Sequence, residues 1–153
     1  MSDWQADALL LTASNSADDL EPTRQRALSY LAPFELDARV LYQVELVLEE
    51  AFMNVVLHAF PNGAPHTFEI RLQVTQEDVV LSLCDDGVAF DPLKRPPGVM
   101  PASIDEAEVG GLGLHLMRRN AKSIRYERVA TQNHLQVVVA RHPSQPQTPG
   151  YPR

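Results

Sequence analysis

Three residues in the segment Glu49-Glu50-Ala51-Phe52-Met53-Asn54-Val55-Val56-Leu57-His58 have types and spacing suited to chemistry. At about 100° per residue on an α-helix, Glu50, Asn54 and His58 fall at i, i+4 and i+8 on one line. That line borders the apolar positions Val47 and Ala51, while Glu45 and Glu49 point to the far side and read as solvated charges. An Asn amide oxygen can hold a hard cation such as Mg²⁺, and a glutamate one turn away can orient or deprotonate an attacking hydroxyl. The two roles are complementary in phosphoryl transfer. Taken alone, the same spacing also describes polar residues at the edge of a core helix.

Two later segments supply what such a pair would need. Leu83-Cys84 leads into Asp85-Asp86-Gly87-Val88-Ala89-Phe90. A carboxylate at a strand end accepts a hydrogen bond from an exocyclic amine such as that of adenine, and a nearby glycine lets a planar base approach the backbone. A plain Asp-Gly turn is the other reading. Cys84 reads as a small strand residue, since nothing in its neighbourhood would lower a thiol pKa. The run Val109-Gly110-Gly111-Leu112-Gly113-Leu114 places glycines immediately before a helix. Backbone N–H groups freed there can converge on phosphate oxygens, and the positive end of the helix dipole favours the same anion. The run follows a loop instead of the first strand of a βαβ unit and has no Lys-Ser/Thr pair, so it is neither a dinucleotide fingerprint nor a Walker loop.

The elements that must hold these groups follow from periodicity. A strand is predicted over Asp7 to Ser14 and a helix over Leu20 to Ala32. The strongest helical pattern runs from Leu36 to Phe60 and ends at Pro61-Asn62-Gly63. Thr67 to Thr75 and Val79 to Cys84 read as a hairpin turning at Gln76, Glu77 and Asp78. A proline-rich loop from Asp85 to Val109 precedes a helix from Gly110 to about Lys122, and Ser123 to Ala130 with His134 to Arg141 form a closing hairpin. About three helices on one face of a mixed, mostly antiparallel sheet make an α+β two-layer sandwich.

The chain of 153 residues is the size of one domain, spanning residues 1–142, with a tail over 143–153 expected to be disordered. A net charge of -7 argues against nucleic acid or an anionic membrane surface as partner. A single cysteine, no basic-then-apolar leader and no run of about 18 apolar residues point to a cytoplasmic, soluble setting.

In order and spacing, the helical Glu-x-x-x-Asn, the strand-end Asp-x-Gly and the late Gly-Gly-Leu-Gly-Leu resemble the GHKL ATPase superfamily of gyrase, heat-shock chaperone, histidine kinase and mismatch-repair ATPases. Glu50-Ala51-x-x-Asn54 with His58, and Gly-Gly-Leu-Gly-Leu-x-Leu, look like the small anti-sigma-factor serine/threonine kinases within it. The resemblance runs from the first strand to Arg141 and implies a histidine-kinase-like ATPase fold. It further implies ATP and Mg²⁺ as cofactors, with Glu50 as catalytic base and Asn54 as the Mg²⁺ ligand. Asp85 would meet the adenine amine, Gly87 would lie under the base, and Gly110, Gly111, Leu112, Gly113 and Leu114 would surround the phosphates. His58 and Ala89 complete the implied ATP site, Ala89 standing where the family has the second glycine of Asp-x-Gly-x-Gly, and Ala59 following His58 where glycine is common. The loop from Asp91 to Val109 is expected to act as a nucleotide lid, with Lys94 and Arg95 in reach of phosphates. The implied partners are a sigma factor, a STAS-type anti-anti-sigma protein that receives the phosphoryl group, and a second copy of the chain. Arg24 or Arg26 would meet an acidic partner or simply face solvent. A nucleotide-gated binding module without turnover, a detached histidine-kinase catalytic half and a plain structural domain remain as alternatives.

Overall fold

The computed structural model describes residues 7–94 and 112–142. Five strands form one antiparallel sheet in the order β1-β2-β3-β5-β4, with β1 Leu9–Ser14, β2 Thr67–Val74, β3 Asp78–Asp85, β4 Ser123–Val129 and β5 Gln132–Ala140. Every adjacent pair is antiparallel, so the described sheet is not mixed. Strict alternation explains the layering. In β2, Phe68, Ile70, Leu72 and Val74 are buried, while Thr67, Glu69 and Arg71 are exposed.

Among the described residues, three helices cover the buried face: α1 Leu20–Leu31, α2 Ala38–Asn54 and α3 Leu112–Asn120. Asp37 caps α2 by accepting the Arg39 N–H at 2.8 Å, which satisfies one of the orphan donors of the first turn. Val40, Val44, Val47, Leu48, Ala51 and Phe52 of α2 are buried at the spacing of one helical stripe, and Phe52 meets Phe68 edge to face with ring centroids 5.0 Å apart. Arg24 of α1 pairs with Glu21 of the same helix (3.2 Å) and joins α1 to α2 through Glu45 (3.3 Å), so its charge is engaged within the chain.

The long helix predicted over Leu36 to Phe60 is not uniform. It is α-helical to Asn54, and Val55–Ala59 continue it as a π-helix. A π turn closes i→i+5 instead of i→i+4 bonds and is wider, so it rotates the residues that follow relative to an ideal α-helix. The chain then leaves through a turn in which Gly63, at φ 69°, donates its N–H to the Phe60 carbonyl at 3.0 Å. The remaining predicted elements lie within one or two residues of their expected limits at almost every end. The tail over 143–153 lies outside the described residues. Among the described residues, no helix is long and apolar enough to cross a membrane.

Candidate functional site

The site lies where the end of α2, the end of β3 and the start of α3 converge. Asn54 is the last α-helical residue of α2 and is buried. Its side-chain Nδ2 has no hydrogen-bond partner among the described residues. A buried amide donor without a partner costs free energy comparable to a lost hydrogen bond. Asn54 lines a small cavity together with Val55, Asp85, Phe90, Tyr126 and Asn133. The volume is about 30 Å³, room for about two waters.

Glu50 lies one turn up the helix, half-buried. Burial, with a smaller contribution from the charge of Glu49, raises its pKa above the ordinary 4.5. It faces α3 so closely that a Cβ placed on Gly113 would lie 2.1 Å from its Oε2 atom. The glycine at 113 therefore makes room for the Glu50 carboxylate, in addition to the phosphate-cradle role expected of it. Gly110 and Gly111 lie outside the described residues. Leu112 opens α3, and Leu114 is packed into the core beside Met117. Leu114 thus contributes packing through its side chain.

Of the expected line Glu50, Asn54, His58, the last member falls in the π turn, and its ring stacks on Phe90 with centroids 4.5 Å apart and planes 15° from parallel. Phe90 thereby forms one wall of the cavity with His58 behind it.

The Asp85 turn is built as a rigid unit. Gly87 donates its N–H to Asp85 Oδ1 at 2.9 Å, and Val88 donates its N–H to the Ala59 carbonyl at 2.8 Å. A Cβ on Gly87 would meet the Ala59 oxygen at 2.2 Å and its carbonyl carbon at 2.7 Å. Glycine is required at 87 because the turn packs against the end of the α2 backbone, a reason that the sequence pattern could not supply. Ala59 is itself buried in that contact, so the small residue after His58 has a packing role. Ala89 is exposed and does not line the cavity. Burial raises the Cys84 thiol pKa, with Glu69, Asp85 and Asp86 adding to the shift, which suits a packed strand residue.

Asn133 was not singled out by the sequence, yet it is buried and donates to Asp85 Oδ1 at 2.8 Å. A signal was present: Leu135, Val137 and Val139 alternate inward along β5, and extending that period backward brings Asn133 to the same buried face. Lys94 ends a short 3₁₀ turn, Pro92–Lys94, whose Leu93 carbonyl accepts from Arg118 Nη2 at 3.1 Å. Arg95 and the rest of the expected lid lie outside the described residues.

A family model described as a histidine kinase-like ATPase domain matches residues 13–139. The chain is 37% identical over 98 residues to the serine/threonine-protein kinase BtrW of Bordetella bronchiseptica, covering 64% of this chain and 69% of that protein. It is 29% identical over 101 residues to the serine-protein kinase RsbW of Bacillus subtilis, covering 63% of this chain and 60% of that protein. In fold it is similar to a solved Mycobacterium tuberculosis structure of RsbU and RsbW domains, with a TM-score of 0.60 at 13% identity, covering 92% of this chain and 34% of that one. The chain belongs to the histidine kinase-like ATPase domain family, in the branch that holds the BtrW and RsbW serine kinases.

Proposed function

We propose that the chain is an ATP-dependent protein serine/threonine kinase of the anti-sigma-factor type. The observation that carries this reading is the convergence of three groups. Asn54, whose Nδ2 has no partner among the described residues, and the Asp85 carboxylate line one cavity, and the raised-pKa carboxylate of Glu50 stands one helical turn away against Gly113. ATP supplies the transferable γ-phosphoryl group, and Mg²⁺ offsets its charge. Asp85 accepts from the adenine amine and so orients the base. Asn54 would hold the metal through its Oδ1 oxygen, and its Nδ2 donor would meet a phosphate oxygen. Glu50 positions the attacking hydroxyl and takes its proton.

The protein substrate is a STAS-type antagonist that presents a serine or threonine hydroxyl. A sigma factor is the second partner, and the working form is a homodimer. The chain spans 60% of the length of the Bacillus subtilis relative. These assignments rest on the relatives' named serine-kinase activity and on the resemblance of the motifs.

The test is phosphoryl transfer from labelled ATP to a STAS-type antagonist. Wild type is expected to label a serine or threonine of the antagonist, and Glu50→Gln is expected to bind ATP while transferring roughly 100-fold more slowly or worse. ATP binding with no transfer by wild type would leave a nucleotide-gated binding module in place of a kinase.

A further inference from the structure

We infer that Asn133, Arg128 and Tyr126 of the closing hairpin are positioning residues that set the purine selectivity of the site by locking the Asp85 turn. The inference rests on the adenine role proposed above for Asp85 and goes beyond it by naming what holds that carboxylate.

An Asn amide can make four hydrogen bonds, two given by its nitrogen and two received by its oxygen. Asn133 makes all four. Its Nδ2 donates to Asp85 Oδ1 at 2.8 Å and to the Val88 carbonyl at 2.8 Å. Its Oδ1 accepts from the Tyr126 hydroxyl and from Arg128 Nη1 at 3.0 Å. The four partners also decide which way the amide points, because carboxylate and carbonyl oxygens can only accept while guanidinium N–H groups can only donate. Arg128 Nη1 further donates to the Gly87 carbonyl at 2.7 Å. Strand register makes this possible: Arg128 lies directly opposite Asn133 in the β4–β5 pair, and Asn133 lies opposite Asp85 in the β3–β5 pair.

The consequence for Asp85 is geometric. Its Oδ1 is committed to two donors, Gly87 N–H and Asn133 Nδ2, so the carboxylate plane is fixed. Its second oxygen then carries the acceptor function. An acceptor oxygen held in that place matches a 6-amino purine and opposes a 6-oxo purine, whose oxygen would face it. Asn133, saturated, orients Asp85 and does not itself contact the base. Asn54 is its opposite, with an Nδ2 that has no partner among the described residues.

The experiment compares binding of ATP and inosine triphosphate, which differ in the 6-amino against the 6-oxo group, by calorimetry on the full chain. Wild type should prefer ATP. Asn133→Asp preserves shape but removes both donors, and should reduce ATP affinity roughly tenfold with little change for inosine triphosphate, narrowing the ratio. Arg128→Met removes a clamp from an exposed position, so it threatens folding less, and should narrow the ratio in the same direction. Arg128→Lys, which retains a cationic donor, should recover part of it. A variant with wild-type melting temperature that weakens both nucleotides equally, or neither, would overturn the positioning role while leaving the ATP reading intact. If wild type bound neither nucleotide, the ATP reading itself would fall, and the network's role with it.

Discussion

Glu50 carries opposing demands. In the proposed role of base it must be ionised, yet burial first and Glu49 second raise its pKa above 4.5. A carboxyl whose folded pKa exceeds its unfolded value binds more protons in the native state, so it costs stability as pH rises from about 4.5 through the folded pKa. Glu50→Gln should therefore melt above wild type at pH 7 while losing transfer, and the difference in melting temperature should vanish below about pH 4.5, as a thermal series across pH would show. The transfer rate should climb with pH over the same window. The two buried-side glycines behave differently at this scale. Alanine at 113 meets only the end of a flexible side chain, so Gly113→Ala should cost under about 1 kcal/mol of stability while displacing the Glu50 carboxylate and slowing transfer. Alanine at 87 meets backbone, and Gly87→Ala should cost about 2–3 kcal/mol in denaturant unfolding.

At the scale of elements, the closing hairpin is both the clamp on Asp85 and a place of stored strain. Its two-residue turn puts Ala130 at φ 52°, a conformation that costs a non-glycine residue roughly 1 kcal/mol. Ala130→Gly should raise stability by about that amount, less the added entropy of the unfolded chain, and should leave ATP selectivity unchanged because Arg128 and Asn133 keep their register. The α2 helix carries a second device. In its π-helical last turn His58 stacks on Phe90 and the Ala59 carbonyl accepts from the Val88 N–H, so the helix end holds the turn that carries Asp85. Periodicity located this helix and its apolar stripe, but it carries no information on where the ladder changes from i→i+4 to i→i+5.

For the whole molecule, an ATP site formed by several elements couples binding to global stability. ATP with Mg²⁺ at 100 times its Kd should add about 2.7 kcal/mol, seen as a rise in melting temperature that chelation reverses and that Asn54→Ala largely abolishes. The elements that make this site were legible in the chain itself. Apolar residues recur at 3.6 in α2 and at 2 in the strands, and these periods are properties of local backbone geometry that a linear sequence displays directly. Glu50 and Asn54 were legible for the same reason, lying one helical turn apart, and so was Asp85 at the end of an alternating strand. What tertiary structure alone decided are the contacts between positions far apart in sequence. Gly113 yields to Glu50, Gly87 to Ala59, and Asn133 reaches Asp85 across 48 residues of chain. Such contacts depend on strand order and on how closely two backbones approach, and neither quantity is written in the spacing of residue types.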